Sequence, residues 1–152
     1  MHKKEKELKN QAQALKYFNE GYNCAQAVLL PYAEELNTDL ETLEKISLGF
    51  GGGMGRLQKT CGAVTGAFMV ISLYCYRLDK NIRSQESRRL IQDFHAQFVA
   101  IHGVSDCRTL LDQDSNTEDG QTHIAELNLK KKVCEPCIKD AISILESLFE
   151  RK

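Results

Sequence analysis

The stretch Gly62 to Tyr76 constrains this chain more than any other feature. Its apolar run is interrupted only by Thr65 and Ser72, and it falls short of the ~20 residues that a membrane-spanning helix needs. A helix apolar around its whole circumference has no face to offer water, so other elements must wrap it. It is expected to be the central helix, running from Cys61 to about Leu78 with Thr60 as its cap. Gly62 and Gly66 give it an edge of small residues that a second helix can approach closely.

The flanking segments supply amphipathic helices to do the wrapping. Between Lys3 and Glu20, Leu8, Ala12, Leu15 and Phe18 recur at helical spacing and predict a helix stopped by Gly21. Asn23 with Gln26 forms a capping box for a helix carrying Cys24, Ala27, Val28 and Leu30, and Pro31 should kink or restart it. Thr38 with Glu41 predicts another cap, opening a short helix through Leu40, Leu43 and Ile46 that ends at Gly49. From Ser84 to His102, Leu90, Ile91, Phe94, Phe98 and Ile101 form an apolar stripe closed by Gly103. Ser105 and Asp106 cap a short turn at Cys107. The polar segment from Leu111 to Gln121 reads as a mobile surface loop. Ile138, Ala141, Ile142, Leu145, Leu148 and Phe149 mark a last helix, with Pro136 in its first turn. No segment alternates as a strand does, and there is no internal repeat. The expected fold is an all-α, single-domain bundle of about five to six helices over residues 1–152, with a glycine-rich loop before the central helix.

Charge narrows the range of partners. Twenty Lys and Arg against twenty-one Asp and Glu leave a net charge of -1, which offers no basic field to nucleic acid or anionic lipid. The charged stretch Met1 to Glu20 lacks the apolar core of a secretory signal, so a cytoplasmic protein without membrane insertion is expected. In that reducing compartment six cysteines point to metal binding, redox work or plain burial rather than to a disulfide framework.

Their positions sharpen the choice. Cys24, Cys61 and Cys107 each fall at the first position of an expected helix, and Cys134 and Cys137 flank the start of the last one. Helix N-termini present unpaired N–H groups and a partial positive charge that favour thiolate over thiol. That effect, about 0.3 to 2 kcal/mol, moves a thiol only part of the way below neutrality at ~1.36 kcal/mol per pKa unit. Full ionisation needs a second cause, such as Arg56, Lys59 or a metal. Cys75 lies on the same helix as Cys61 but ~21 Å along its axis at ~1.5 Å per residue, so it cannot share that site and is read as structural.

The runs Gly21-Tyr22-Asn23-Cys24-Ala25-Gln26-Ala27-Val28, Gly49-Phe50-Gly51-Gly52-Gly53-Met54-Gly55, Cys61-Gly62-Ala63-Val64-Thr65-Gly66 and Cys107-Arg108-Thr109-Leu110-Leu111, with a late Cys before an amphipathic helix, resemble the C_GCAxxG_C_C family of redox-active proteins. The resemblance implies four family cysteines, matching Cys24, Cys61, Cys107 and Cys134, with Cys137 extra. A related domain occurs in split-Soret cytochromes, which implies electron transfer and an iron–sulfur cluster. Cys137 is followed by Ile138 rather than His, so covalent c-type haem is not expected.

Three readings of the site follow. In the first, Cys24, Cys61, Cys107 and Cys134 ligate an iron–sulfur cluster or zinc for an electron-transfer role, with Cys137 a substitute ligand or resolving thiol. In the second, no metal is bound and Cys61, Cys134 and Cys137 are redox thiols, with Cys134-Glu135-Pro136-Cys137 an obvious pair. Pairs among Cys24, Cys61 and Cys107 serve equally there, and no strand precedes the motif as a thioredoxin fold would require. In the third, the domain is not catalytic and its cysteines are buried or hold structural zinc. An unidentified redox partner and association into a homo-oligomer are compatible with all three.

Other signals fail. The loop Gly51, Gly52, Gly53, Met54, Gly55 matches neither dinucleotide nor Walker patterns, and its plain reading is a tight turn. In a functional version, backbone N–H groups of Gly51, Gly52, Gly53, Gly55 and Arg56 line an anionic thiolate site beside Cys61. Asp112, Asp114 and Asn116 start like a calcium loop, but Thr117 and His123 stand where Gly and Glu are required. His95, His102 and His123 read as surface or boundary histidines, and Arg88, Arg89 and Lys130 to Lys132 as solvated helix faces.

Overall fold

In a computed structural model of the chain, residues 2–150 are described. They form eight α-helices: α1 (Lys3–Asn19), α2 (Cys24–Leu29), α3 (Leu40–Ser47), α4 (Gly62–Tyr76), α5 (Arg83–His102), α6 (Cys107–Leu111), α7 (Glu118–Glu126) and α8 (Glu135–Glu150). Short 3-10 turns follow α2 and α3, and a π-helical turn, Lys130–Cys134, leads into α8. Among the described residues the only extended pairing is one antiparallel bridge, Thr60 with Asp106. The all-α class stands, with more helices than the five to six expected.

α4 is the centre. Val64, Ala67, Val70 and Ile71 are sealed from solvent, and α2, α5 and α8 pack around them. The glycine edge faces α2: a Cβ on Gly66 would stand 2.5 Å from the Ala25 carbonyl oxygen, and one on Gly62 would stand 2.9 Å from Cys24 Cβ. Only hydrogen fits in that space, so these two positions set how closely α2 and α4 approach. No helix among the described residues is long and apolar enough to cross a membrane.

Several local expectations are corrected. In α1, Leu15 and Phe18 pack against the core as expected, but Leu8 and Ala12 are exposed, and the buried positions are Asn10, Gln11 and Ala14. Asn10 and Gln11 can be buried because α8 carries their partners: Asn10 donates to Glu146 (3.3 Å), and Gln11 to the Lys139 carbonyl (3.0 Å) and Ser143 (2.9 Å). The Asn23–Gln26 capping box forms as read, and Pro31 sits in the first turn of the 3-10 segment that ends α2. The cap of α3 is Asp39 rather than Thr38, since its carboxylate accepts both the backbone N–H and the hydroxyl of Thr42. Cys61 itself occupies the cap position of α4, without a side-chain cap, because Thr60 is held in the bridge to Asp106. Ile101 is exposed.

The expected loop from Leu111 to Gln121 is largely ordered by hydrogen bonds. Thr117 caps α7, and Gln58 and Arg56 hold the segment before it. A Cβ on Gly120 would overlap the Asp114 carbonyl oxygen at 1.7 Å, so glycine is what lets that turn close onto α7.

Candidate functional site

Five of the six cysteines line one cavity of about 880 Å³, and Cys75 is not among them. Each arrives on a different local device. Cys24 opens α2, where the Asn23 side chain caps the helix and donates to the carbonyls of Ser47 (3.2 Å) and Leu48 (3.0 Å). Those bonds tie the start of α2 to the end of α3 and to the glycine loop behind it. Cys61 and Cys107 are drawn together by a backbone clamp: Cys61 N–H donates to the Ser105 carbonyl (2.8 Å) and Cys107 N–H to the Lys59 carbonyl (2.7 Å). Cys134 ends the π-helical turn and Cys137 is the third residue of α8. Cys61, Cys107 and Cys137 are buried, whereas Cys24 and Cys134 keep some exposure.

The five thiols act on one another electrostatically; the strongest effect on Cys61 comes from Cys137, and the strongest on Cys134 comes from Cys24. Within the inner pair, the hydrogen bond from Cys137 holds the Cys61 thiol below its ordinary value against the effect of burial, helped by the N–H groups of Ala63 and Val64. Cys137 keeps its proton, because it donates that hydrogen bond and is buried. In the outer pair the bond from Cys24 holds Cys134 down, with Lys130 contributing. Cys24 is pushed up by the same bond and by burial. Burial pushes Cys107 up to about 11, with the Cys61 charge adding to it.

A helix start favours thiolate only weakly, and here it is outweighed. Cys24 and Cys107 both open helices and are both raised; desolvation and neighbouring sulfur outweigh the helix terminus. Neither Arg56 nor Lys59 is the second cause for Cys61; its partner thiol is.

The glycine loop forms one wall, with Gly51, Gly52, Gly53, Gly55 and Arg56 all on the cavity. Gly52, Gly53 and Gly55 are left-handed, and so are the non-glycine residues Met54, Arg56 and Gln58 at φ 68, 58 and 56. Gln58 explains part of that cost. It is buried, accepts from Ser115 N–H (3.0 Å), donates to the Gln113 carbonyl (2.9 Å) and places Nε2 4.0 Å from Cys107 Sγ.

Sequence reading missed three contributors. Gln58 carries no signal, and the start of α7, Glu118 to Gln121, falls within the expected loop. His102 did carry one: Leu90, Phe94, Phe98 and His102 recur every fourth residue, so the stripe runs through His102 rather than Ile101. Its Nδ1 lies 3.9 Å from Cys137 Sγ, and its Nε2 lies 2.9 Å from an Asp140 carboxylate oxygen. That second contact has ion-pair spacing but misses the angle of a hydrogen bond, so Nε2 has no hydrogen-bond partner. The ring packs against Phe98 at 4.6 Å. Asp140, His102, Cys137 and Cys61 thus follow one another from the rim inward.

Residues 22–148, spanning all five cavity cysteines, match the model of the family described as "Putative redox-active protein (C_GCAxxG_C_C)". The chain belongs to this family. A protein of Archaeoglobus fulgidus described as an "Uncharacterized protein" is 27% identical over 117 residues, 67% of this chain and 74% of that one. No solved structure matches the chain.

Five soft sulfurs, with no Asp or Glu lining the cavity, suit a thiophilic metal or an iron–sulfur cluster. Among the described residues, however, no three or more of His, Cys, Asp and Glu are grouped to hold an ion.

Proposed function

We propose that this family member is a thiol-redox protein that cycles two dithiols, an inner Cys61–Cys137 pair and an outer Cys24–Cys134 pair, between thiol and disulfide. The convergence of sequence-distant cysteines on one cavity carries this reading, and the dominant mutual influence of Cys61 with Cys137 and of Cys24 with Cys134 supports the pairing. Each pair joins a thiol held low to one held high, the division of labour that separates an attacking thiolate from a resolving thiol. Cys134, which is partly exposed, attacks a partner's disulfide; Cys24 then displaces the partner's thiolate, closing Cys24–Cys134. Two electrons pass to the partner and one proton per resolving thiol is released. The inner pair gives its two electrons to the Cys24–Cys134 disulfide: Cys61 attacks it, and Cys137 displaces the outer thiolate to close Cys61–Cys137 and regenerate the outer dithiol. His102 Nδ1 stands behind Cys137 to receive its proton, with Asp140 beside the ring.

A second reading is favoured by Cys107, which the paired scheme leaves without a partner thiol. Cys24, Cys61, Cys107 and Cys134 would then hold an iron–sulfur cluster or zinc, and a cluster, when bound, supplies one-electron transfer.

The deciding experiment is anaerobic purification followed by absorption spectroscopy, iron, zinc and thiol counts, then mild oxidation and peptide mapping. The dithiol reading expects reversible loss of four thiols as Cys24–Cys134 and Cys61–Cys137, with Cys75 still free. Scrambled bridges, or none, sink it. Stoichiometric iron with charge-transfer bands, lost in Cys61→Ser and kept in Cys75→Ser, moves the assignment to the metal centre.

A further inference from the structure

The cavity is far larger than its thiols need. At about 880 Å³ it lies in the range of small-molecule sites, roughly 300 to 1,000 Å³, and the wall beyond the sulfurs is apolar, built from side chains such as Tyr22, Leu111 and Ile124. Its charge is one-sided. The chain carries twenty-one acidic residues and none lines this cavity, whereas Arg56 and Lys130 both do.

Arg56 is also held there at a cost. Its φ of 58 is left-handed, a conformation that disfavours a side chain. The guanidinium donates to the Ser115 carbonyl, and Asn116 Nδ2 donates to the Arg56 carbonyl at 2.7 Å. A neutral donor would satisfy Ser115; Arg56 and Lys130 are both exposed, so their charges stand at the rim of a largely apolar cavity, where they suit the charged end of an anion.

We infer that the cavity binds a small organic anion, an apolar body with one carboxylate- or sulfonate-like group directed to Arg56 and Lys130, beside the paired thiols. α7 closes one side through Ile124. The occupant's role as the thiols' small-molecule partner rests on the redox reading above; its binding does not.

The test is calorimetric titration of the fully reduced protein with 1-anilinonaphthalene-8-sulfonate, and with the uncharged N-phenyl-1-naphthylamine. One site per chain is expected, with the sulfonate tighter than the neutral compound. Lys130→Gln and Arg56→Gln should each weaken the sulfonate about tenfold and leave the neutral compound unchanged. Ile124→Trp should abolish both. Equal affinity for the two compounds, or undiminished binding in both Lys130→Gln and Ile124→Trp, overturns the proposal. Thermal unfolding of each variant separates lost binding from lost fold, and Lys130→Gln, at an exposed side chain, guards against Arg56→Gln disturbing the loop. The two readings fail separately. Sulfonate binding without paired oxidation leaves a ligand cavity and removes the redox role; paired oxidation without binding does the reverse.

Discussion

At the scale of single residues, the site shows one chemical group in five environments. Cys134 and Cys61 each accept a hydrogen bond from a second thiol and are held low. Cys107, desolvated and beside the Cys61 charge, is pushed up to about 11. Labelling by iodoacetamide, which reacts with thiolate, should therefore reach its plateau at Cys134 at a lower pH than at Cys107. Peptide-resolved rates across a pH series check this, and coincident profiles would refute the assignment of the two environments. The sign for stability is opposite at the two sites. Cys107, raised on folding, stabilises the reduced fold below the ordinary thiol value, and this is lost as pH rises through about 11. Cys134, lowered on folding, contributes above that lowered value and loses its contribution as pH falls through it.

Among the elements, the α2–α4 contact matters most to the site because it sets Cys24 beside the start of α4. With Ala25 backbone 2.5 Å from where a Gly66 Cβ would stand, Gly66→Val must push the two helices apart. We expect a loss of about 1–3 kcal/mol from overpacking, read from the urea midpoint, together with poorer Cys24–Cys134 closure on oxidation. An unchanged midpoint would mean that the contact is not tight. This edge was legible in the sequence, since two glycines one turn apart on an apolar helix have few other uses. α7 was not. Its buried surface is slight, and what orders the segment before it is a set of hydrogen bonds from Gln58, more than fifty residues earlier. No local periodicity announces a partner that far away.

For the whole molecule, Glu146 is the knot. Nearly buried on α8, it accepts from the Tyr32 hydroxyl at 2.7 Å and from Asn10 at 3.3 Å, and Lys6 stands 3.5 Å away. It thereby joins α1, the turn after α2, and α8, the helix that delivers Cys137. Burial, followed by the Glu146 charge, pushes the Tyr32 phenol well above its ordinary value. Glu146→Ala leaves buried donors unpaired, and by the ~1.5–3 kcal/mol scale of hydrogen bonds to charged groups should cost about 2–3 kcal/mol. Thermal unfolding measures it. The thiol pairing pattern should survive in the folded fraction, and altered pairing would show that α8 is placed by Glu146 rather than by its apolar face.

The helical class, the central position of Gly62 to Tyr76, the separation of Cys75 from the site and most of the apolar stripes followed from sequence, because they depend on periodicity and length, which are local properties. Tertiary structure alone decided which thiol faces which, that Cys61 and Cys107 are clamped by backbone hydrogen bonds, that His102 and Asp140 stand behind Cys137, and that α1 turns a polar face inward. Each depends on a partner supplied by a distant segment, and the protonation of a buried thiol depends more on the neighbours it meets there than on its place in a helix.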